Sequence, residues 1–274
     1  MTRSAFARPG YSFTMTNFTP LNDLGTALVT GATAGIGYEF ARQLAESGHD
    51  VVLVARDRER LEKVAAELST TYGVAADPRP ADLTDPGQLG AVAERVRAQD
   101  DPIEILVNNA GFGNKHRFLD TDLDQNTRMI DLLVTATTVL CHAGGRAMRD
   151  RGRGAMITVS SIAGFVSSGI YSANKAYQTT LTESLAEELR PYGVAVTALC
   201  PGFTRTEFHD RMDLQRVTVP DWAWLQADHL VAQALSDTDA GKVLSIPGMQ
   251  YKAVAALTRI APRSALRRQS RSRD

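Results

Sequence analysis

The chain has 274 residues, 43% hydrophobic and 22% charged, which is enough to bury one sizeable core, so we expect a single domain. Thirty Lys and Arg residues against 31 Asp and Glu residues give a formal net charge of −1. This balance offers no global attraction to nucleic acid or to an anionic membrane, and the expected partner is a small molecule.

Short apolar runs alternate with longer stretches of helical spacing along the chain. Residues 1–24 are predicted to be an irregular extension, in which Met15 is an alternative start to Met1. In chain order the pattern then predicts strand 27–30, helix 36–46, strand 51–55, helix 58–68, helix 88–97, strand 103–107, helix 122–148, strand 155–159, helix 173–189, strand 194–199 and, after a looser region, an edge strand 242–246.

This alternation predicts an α/β fold: a Rossmann-like, doubly wound parallel sheet flanked by helices on both faces, in one domain over residues 25–258. In such a sheet, ligands bind at the carboxyl ends of the strands, where the strand order reverses. Residues 259–274 are rich in arginine with little apolar periodicity. We interpret them as a solvated basic tail, with peripheral lipid contact as the alternative.

The glycine pattern directly after the first strand favours a nucleotide site. The sequence Thr30-Gly31-Ala32-Thr33-Ala34-Gly35-Ile36-Gly37 opens the first helix. Its glycines permit a tight turn and a close approach of backbone to a pyrophosphate, while the helix N-terminus offers unpaired N–H groups and the positive end of a dipole. A glycine triplet alone is weak evidence, and its place between a strand and a helix strengthens it.

The spacing Gly-x-x-x-Gly-x-Gly resembles that of the short-chain dehydrogenase/reductase family, and further motifs extend the resemblance. They are the adenine-contacting pair Asp82-Leu83 after the third strand, the turn Asn108-Asn109-Ala110-Gly111, the catalytic set Ser161 with Tyr171-x-x-x-Lys175, and the nicotinamide-closing segment Pro201-Gly202-Phe203-Thr204-Arg205-Thr206. The resemblance implies that the cofactor-binding residues are Gly31, Thr33, Ala34, Gly35, Ile36, Gly37, Arg56, Asp82, Leu83, Asn109, Ala110, Gly111, Tyr171, Lys175, Pro201, Gly202, Thr204 and Thr206.

Cofactor preference is decided beside the adenosine ribose, where a carboxylate accepts the 2′-hydroxyl of NAD and an arginine accommodates the 2′-phosphate of NADP. The resemblance puts the NAD-selecting acidic residue at Ala55, and the next residue is Arg56. We therefore expect NADP(H) to be favoured over NAD(H). If Arg56 instead pairs with Asp57 or Glu59 in solvent, the protein uses both cofactors.

Tyr171 and Lys175 suit the delivery of a proton to a carbonyl oxygen, for which the cofactor supplies the hydride. A free phenol titrates near pH ~10, so a nearby cation is needed to stabilise the phenolate. Four residues apart, the two side chains lie on one face of a helix, and the ammonium also reaches the nicotinamide ribose. We predict that Tyr171 is the catalytic acid/base and that Lys175 tunes it.

Ser161 is predicted to hydrogen-bond the substrate oxygen and to stabilise the charge that develops there. Its rival is Ser160. Because Ser161 aligns with the family's serine, we expect Ser160 to bond backbone at the strand end.

Two departures from the family pattern affect the predicted site. Only nine residues separate Ser161 from Tyr171, fewer than the family usually has, so the intervening loop should be tight. Leu133 stands where the family has an asparagine that helps hold a water between the lysine and solvent, and leucine cannot make that hydrogen bond. Either the proton relay is rerouted or the rate is reduced. Asn126 is interpreted as an exposed helix residue that does not substitute.

The stretch 204–224 mixes aromatic and aliphatic residues with charged ones. It is predicted to form a mobile lid over an apolar substrate, with ordinary packing against the core as the alternative.

The predicted reaction interconverts a hydrophobic ketone or aldehyde and an alcohol. The resemblance also implies a homodimer or homotetramer. The alternative function, motivated by Leu133, is a nucleotide-binding regulator of the same fold with weak or no turnover.

The remaining chemistry-bearing residues exclude several other classes. Cys141 and Cys200 are far apart in apolar stretches and form neither a disulfide framework nor a metal cluster. The five histidines show no ligand spacing, so we predict no metal. No apolar run reaches the length of a signal-peptide core at the start or of a membrane span later. We expect a cytoplasmic protein without an integral membrane segment.

Overall fold

The structure is a computed structural model that describes residues 18–113, 117–206 and 220–260, with the side chains of 259 and 260 left aside. Its strands are β1 Thr26–Thr30, β2 Val51–Ala55, β3 Ala76–Pro80, β4 Ile103–Asn108, β5 Gly154–Val159, β6 Val194–Leu199 and β7 Leu244–Ser245. Its helices are α1 Gly35–Glu46, α2 Arg58–Tyr72, α3 Pro86–Arg97, α4 Leu123–Ile130, α5 Thr137–Arg151, α6 Gly169–Leu189, α7 Ala227–Asp239 and α8 Met249–Ile260.

Several predictions fall outside the described residues. They concern the choice between Met1 and Met15, most of the apolar residues of the predicted lid at 207–219, and residues 261–274 of the predicted tail. The described part of the predicted extension contains a short 3₁₀ turn, and Leu21 and Leu24 in and after it are buried in the core. The helix α8 includes residues 259 and 260, at which the predicted tail begins.

The strands form one parallel sheet in the order β3-β2-β1-β4-β5-β6-β7. From β1 the chain first winds to one edge and then returns to continue on the other side of β1. The strand order therefore reverses between β1 and β4, and the crevice beyond their carboxyl ends is where a ligand is expected. The predicted doubly wound, Rossmann-like sheet is confirmed.

The core lies in two layers, one on each face of the sheet. Strands β1, β4, β5 and β6 are buried along their whole length, as expected for parallel strands that are covered on both faces. Apolar residues of α1, α2 and α7 pack on one face, and those of α3, α5 and α6 pack on the other. None of the helices in the described segments is both long and apolar enough to cross a lipid bilayer.

The predicted long helix 122–148 is interrupted by a π-helical segment. α4 and α5 are joined through Asp131–Ala136, where the backbone makes wider turns, and the helical run ends at Arg151. Leu133 and Ala136 in this segment are buried. Wide turns of this kind are frequent at functional sites, and this one lies beside α6, which carries Tyr171 and Lys175.

Two helices lie in parts of the chain for which no helix was predicted. α7 lies within the predicted looser region, and its Leu230, Val231 and Ala234 are buried against the sheet. α8 follows β7 and buries Tyr251 and Ala255. The edge strand predicted over 242–246 is confirmed in place, although only Leu244–Ser245 pair with β6.

Candidate active site

The turn between β1 and α1 requires glycine at two positions for different reasons. Gly31 has a φ of +68°, in the left-handed region that glycine adopts without strain. Gly37 lies so close to the turn that a Cβ atom there would come within 2.2 Å of the Gly31 carbonyl oxygen. The turn therefore depends on both glycines, and it brings Thr33, Ala34 and Ile36 to the start of the helix.

The N-terminus of α1 is suited to an anionic group. Among the described residues, no side chain caps this end of the helix, which is preceded by Ala34. The first N–H groups of a helix have no partner within it and carry the positive end of its dipole. A bare helix start next to a close-packed glycine turn fits the pyrophosphate of a dinucleotide.

Asn109 ties the glycine turn to the end of β4. Its side-chain amide donates to the carbonyl oxygens of Thr30 at 2.9 Å and Gly31 at 3.3 Å. The Thr30 hydroxyl accepts from the backbone N–H groups of Asn109 and Ala110. Asn109 was predicted to bind the cofactor, and its amide shapes the turn that would hold it.

The residues predicted for the adenosine end surround the Asp82 carboxylate. Asp82 accepts hydrogen bonds from the backbone N–H and hydroxyl of Thr84 and pairs with Arg128 of α4 at 2.6 Å. Burial opposes its ionisation, but the Thr84 hydrogen bonds and the charges of Arg128 and Arg56 lower its pKa below the ordinary value. Leu83 beside it is buried.

Arg56 lies exposed directly after β2. The Asp57 carboxylate accepts from the Arg60 backbone N–H and caps α2. This arrangement leaves the Arg56 guanidinium on the same side of the site as Asp82.

Ser161, Tyr171 and Lys175 meet at the carboxyl end of β5. Ser161 follows the strand and precedes a short 3₁₀ turn, while Tyr171 is in the first turn of α6. The Ser161 side chain hydrogen-bonds Tyr171, and the Lys175 Nζ lies 5.7 Å from the centre of the Tyr171 ring. The spacing of one helical turn thus brings the ammonium beside the phenol.

Burial dominates the protonation of the tyrosine and lysine. Burial raises the pKa of Tyr171 to about 12, and the hydrogen bond with Ser161 opposes this change. Burial lowers the pKa of Lys175 to about 7, opposed by the nearby Cys200 sulfur. In both residues burial favours the uncharged form: it brings the pKa of Lys175 close to neutral pH and moves the pKa of Tyr171 further from it.

Lys175 is anchored by two acceptors. Its Nζ donates to the Val159 carbonyl oxygen at 2.7 Å and to Gln178 Oε1 at 2.8 Å. Gln178 was not recognised in the sequence. The signal available was a glutamine three residues after Lys175, on the buried face of the same helix.

Ser160 and Asn126 are both buried. The Ser160 hydroxyl donates to the Lys175 carbonyl oxygen at 2.8 Å, so it bonds backbone as expected, although on α6. The interpretation of Asn126 as exposed was wrong. It is 3% exposed, and its amide donates to the carbonyl oxygens of Phe118 and Thr121. These hydrogen bonds connect the preceding turn to the start of α4 and bury the side chain.

The segment 201–206 crosses from β6 to the glycine turn. A Cβ on Gly35 would lie 3.0 Å from Thr206 Cβ, so the end of this segment reaches the start of α1. Thr204 is buried and bridges Leu225 in a short parallel contact. The chain entering and leaving the stretch 207–219 is thereby held together at one point, which we call the neck (203–206 and 220–225).

Tyr251 of α8 packs against segment 201–206 and holds it by hydrogen bonds. A Cβ on Gly202 would come within 2.0 Å of the Tyr251 ring, so only glycine fits there. The Tyr251 hydroxyl accepts from the Phe203 N–H at 3.1 Å and donates to the Ala223 carbonyl oxygen at 2.6 Å. Pro201 in turn accepts the Ile162 N–H. Tyr251 was also missed in the sequence, where nothing connects it to this segment.

The predicted site residues therefore lie along one edge of the sheet. The glycine turn follows β1, Arg56 follows β2, Asp82 follows β3, Gly111 follows β4 and Ser161 follows β5. The segment 201–206 follows β6 and reaches back to the first of these turns. Such an arrangement can hold an extended dinucleotide along the edge and place its far end beside Ser161, Tyr171 and Lys175.

Comparison with known proteins gives a consistent family. Residues 25–216 match the family described as short chain dehydrogenase. The probable oxidoreductase EphD of Mycobacterium tuberculosis is 36% identical over 182 residues, which are 65% of this chain and 31% of that protein. The chain thus spans less than a third of that relative's length.

Solved structures align over more of the chain. A short-chain dehydrogenase from Sphingobium yanoikuyae in complex with NADPH is 36% identical, covers 92% of this chain and 96% of its own, and has a TM-score of 0.78. A bulky-bulky ketone specific alcohol dehydrogenase from Comamonas testosteroni is 32% identical, with coverage of 92% and 95% and a TM-score of 0.76. The match of motifs, fold and sequence shows that this chain belongs to the short-chain dehydrogenase/reductase family of oxidoreductases.

Proposed function

We propose that the protein interconverts a carbonyl and an alcohol with a nicotinamide cofactor, with Tyr171 as the acid/base. The observation that carries this proposal is the meeting of Ser161, Tyr171 and Lys175 at the carboxyl edge of the sheet, beside a glycine turn that fits a pyrophosphate. Each of the three residues performs a different task in the reaction.

When bound, the nicotinamide group supplies or accepts the hydride. Tyr171 donates its phenolic proton to the carbonyl oxygen during reduction and takes it back during oxidation. Ser161 donates a hydrogen bond to the same oxygen and holds it against the phenol. Lys175, kept 5.7 Å from the ring centre, supplies the positive charge that makes the phenolate accessible.

We propose that NADP(H) is favoured over NAD(H). The support is the exposed Arg56 guanidinium after β2, with Ala55 rather than an acidic residue directly before it. The Sphingobium relative, which is 36% identical, was solved with NADPH. The acceptors and donors along the edge, from the α1 N-terminus to Asp82, would hold the rest of the dinucleotide.

The proposed substrate is a hydrophobic ketone or aldehyde, or the corresponding alcohol. Apolar side chains follow two of the strands that end at the site: after β6, Phe203 and Trp224 pack edge to face in the neck, with ring centres 5.8 Å apart. Phe118 and Leu119, after the β4 turn, are exposed. The Comamonas relative is specific for bulky ketones.

The stretch 204–224 remains our candidate for the lid, and a homodimer or homotetramer remains our proposal for the assembly.

Replacement of Tyr171 by phenylalanine tests the proposed role. Because the phenol is the only proton donor assigned to the carbonyl oxygen, Tyr171→Phe should lower kcat for ketone reduction by about 10²-fold or more. Its affinity for NADPH, measured by nicotinamide fluorescence, should be unchanged. The matched control is Tyr177→Phe on the same helix, which removes a hydroxyl that hydrogen-bonds Thr138 of α5.

Full activity of Tyr171→Phe would show that another group is the acid. If wild-type protein binds NADPH but reduces no member of a panel of bulky ketones and aldehydes, the regulator is favoured. The observation behind that second candidate is Leu133, buried next to the lysine where the family has an asparagine.

A further inference from the structure

We propose that Gln178 is the positioning residue of the catalytic lysine in this protein, supplying from α6 the polar anchor that Leu133 cannot supply from the π segment. The inference rests on the proposed function, since it gives Lys175 the role assigned above. It concerns a residue that none of the family motifs in this sequence includes.

Lys175 depends on few partners for its position. It is 5% exposed, and among the described residues its ammonium donates to the Val159 carbonyl oxygen and to Gln178 Oε1. The Val159 carbonyl is a backbone group of β5, so it would be present whatever side chain occupied that position. Among the described residues, Gln178 is therefore the side-chain acceptor that holds this lysine.

The orientation of the Gln178 amide is fixed at both ends. Its Nε2 donates to the Thr137 hydroxyl oxygen at 2.9 Å, and its Oε1 faces Lys175. An ammonium group only donates, so a reversed amide would set two donors against each other. Gln178 is 1% exposed, and water does not compete for either contact.

The anchor joins α6 to the end of the π segment. Thr137 is the first residue of α5, directly after the wide turns that contain Leu133. On the other side of the lysine, a Cβ on Gly111 would lie 2.8 Å from Leu133 Cδ2 and 4.0 Å from Lys175 Nζ. An apolar side chain thus fills this space, and the polar contact comes from Gln178 instead.

A hydrogen-bond acceptor stabilises the charged form of an amine. Burial already lowers the pKa of Lys175 to about 7, and removal of the Gln178 oxygen should lower the pKa further. The titratable groups that face the ammonium in the described structure are Tyr171 on α6 and Cys200 after β6. Gly111 and Leu133 on its remaining sides do not titrate. Gln178 therefore extends the pH range in which Lys175 is charged.

Gln178→Met is the informative variant, because methionine has a similar length and no strong hydrogen-bond acceptor. We expect its pH profile of ketone reduction to lose activity at a pH lower by about one unit, the tenfold effect of losing one hydrogen bond to a charged group. A second readout needs no turnover: nuclear magnetic resonance titration of isotope-labelled lysine Cε, with Lys175→Met identifying the Lys175 signal. The same downward shift is expected there.

The control is Thr182→Val, which removes a buried hydroxyl that donates to the Gln178 backbone carbonyl on the same helix. It should keep the wild-type profile. If Gln178→Met does not fold, Thr137→Val keeps the glutamine but releases its amide, and it should shift the titration in the same direction.

An unshifted Lys175 titration in Gln178→Met, with only a lowered Tm, would overturn the inference and leave Gln178 as a packing residue. This result is distinguishable from failure of the proposed function. In the latter case Tyr171→Phe retains activity, whereas the Lys175 resonance still reports on Gln178.

Discussion

Arg56 is the side chain on which the proposed cofactor preference depends. It is exposed after β2, and its charge reaches Asp82 across the adenosine end of the site. Arg56→Ala should weaken NADPH binding by about tenfold or more, through loss of a charge-assisted hydrogen bond to the 2′-phosphate, and should leave NADH binding unchanged. Titration of each cofactor against nicotinamide fluorescence measures both affinities.

Arg58→Ala is a matched control, because Arg58 is also exposed and pairs with Glu62 on α2. Equal losses of NADPH and NADH affinity in Arg56→Ala would show that the arginine contributes only general attraction. No loss for either cofactor would place the 2′-phosphate elsewhere.

The residue spacing in the sequence was sufficient to bring Tyr171 and Lys175 together, since four residues make one turn of helix. It also identified Leu133 as a departure. It could not identify Gln178, because the contacts of this side chain depend on how α5 packs beside α6 and on the π segment between α4 and α5. Asn126 was misjudged for the same reason: its burial comes from the turn at 118–120, which no periodicity reveals.

At the scale of secondary-structure elements, α8 supports segment 201–206 through one side chain, Tyr251. Tyr251→Phe keeps the ring beneath Gly202 but removes the hydrogen bonds to Phe203 and Ala223. Segment 201–206 should then be held less firmly, so KM for the cofactor should rise by about three- to tenfold, which corresponds to a total loss of about 1 kcal/mol. Steady-state kinetics with varied NADPH measures the change.

Tyr192→Phe is the control for this experiment, since Tyr192 is an exposed tyrosine in the short 3₁₀ turn after α6. If Tyr251→Phe lowers Tm but leaves KM and kcat as they were, α8 merely packs against the domain.

The elements that the sequence placed without difficulty are the ones with continuous apolar runs or helical periodicity, such as β1, β4 and α1. β3 could not be delimited, because its sequence Ala-Asp-Pro-Arg-Pro has no apolar run, and its prolines are tolerated only because it lies at the edge of the sheet. α7 does carry apolar residues at helical spacing, Leu230, Val231 and Ala234, which were overlooked. Tyr251 of α8, by contrast, finds its partners in distant turns. Such contacts are not encoded in local spacing.

At the scale of the whole molecule, the buried Lys175 should make stability depend on pH. With a pKa of about 7 in the folded state and an ordinary value of 10.5, the unfolded chain binds more protons between these limits. The free energy of unfolding should therefore rise from pH 7 to pH 9 by about 2 kcal/mol from this residue alone. Urea unfolding at a series of pH values measures the slope.

Lys175→Met removes the titrating group and should flatten this rise, and the variant should be the more stable protein at pH 7. If wild type and Lys175→Met show parallel pH dependence, Lys175 keeps an ordinary pKa in the folded protein. The window ends at pH 9 because burial also raises the pKa values of Cys141 and Cys200, whose contributions oppose that of the lysine at higher pH.

The neck has a consequence for how the molecule can diversify. Thr204 and Leu225 pair, Arg205 bonds Asp221, and the ends of the stretch 207–219 are thereby joined whatever lies between them. Because the entropy of closing a loop grows only slowly with its length, the neck should tolerate a longer connection between residues 206 and 220 at little extra entropic cost. The pairing of Thr204 with Leu225 thus separates the geometry of the strand ends from the length of the chain that connects the two sides of the neck.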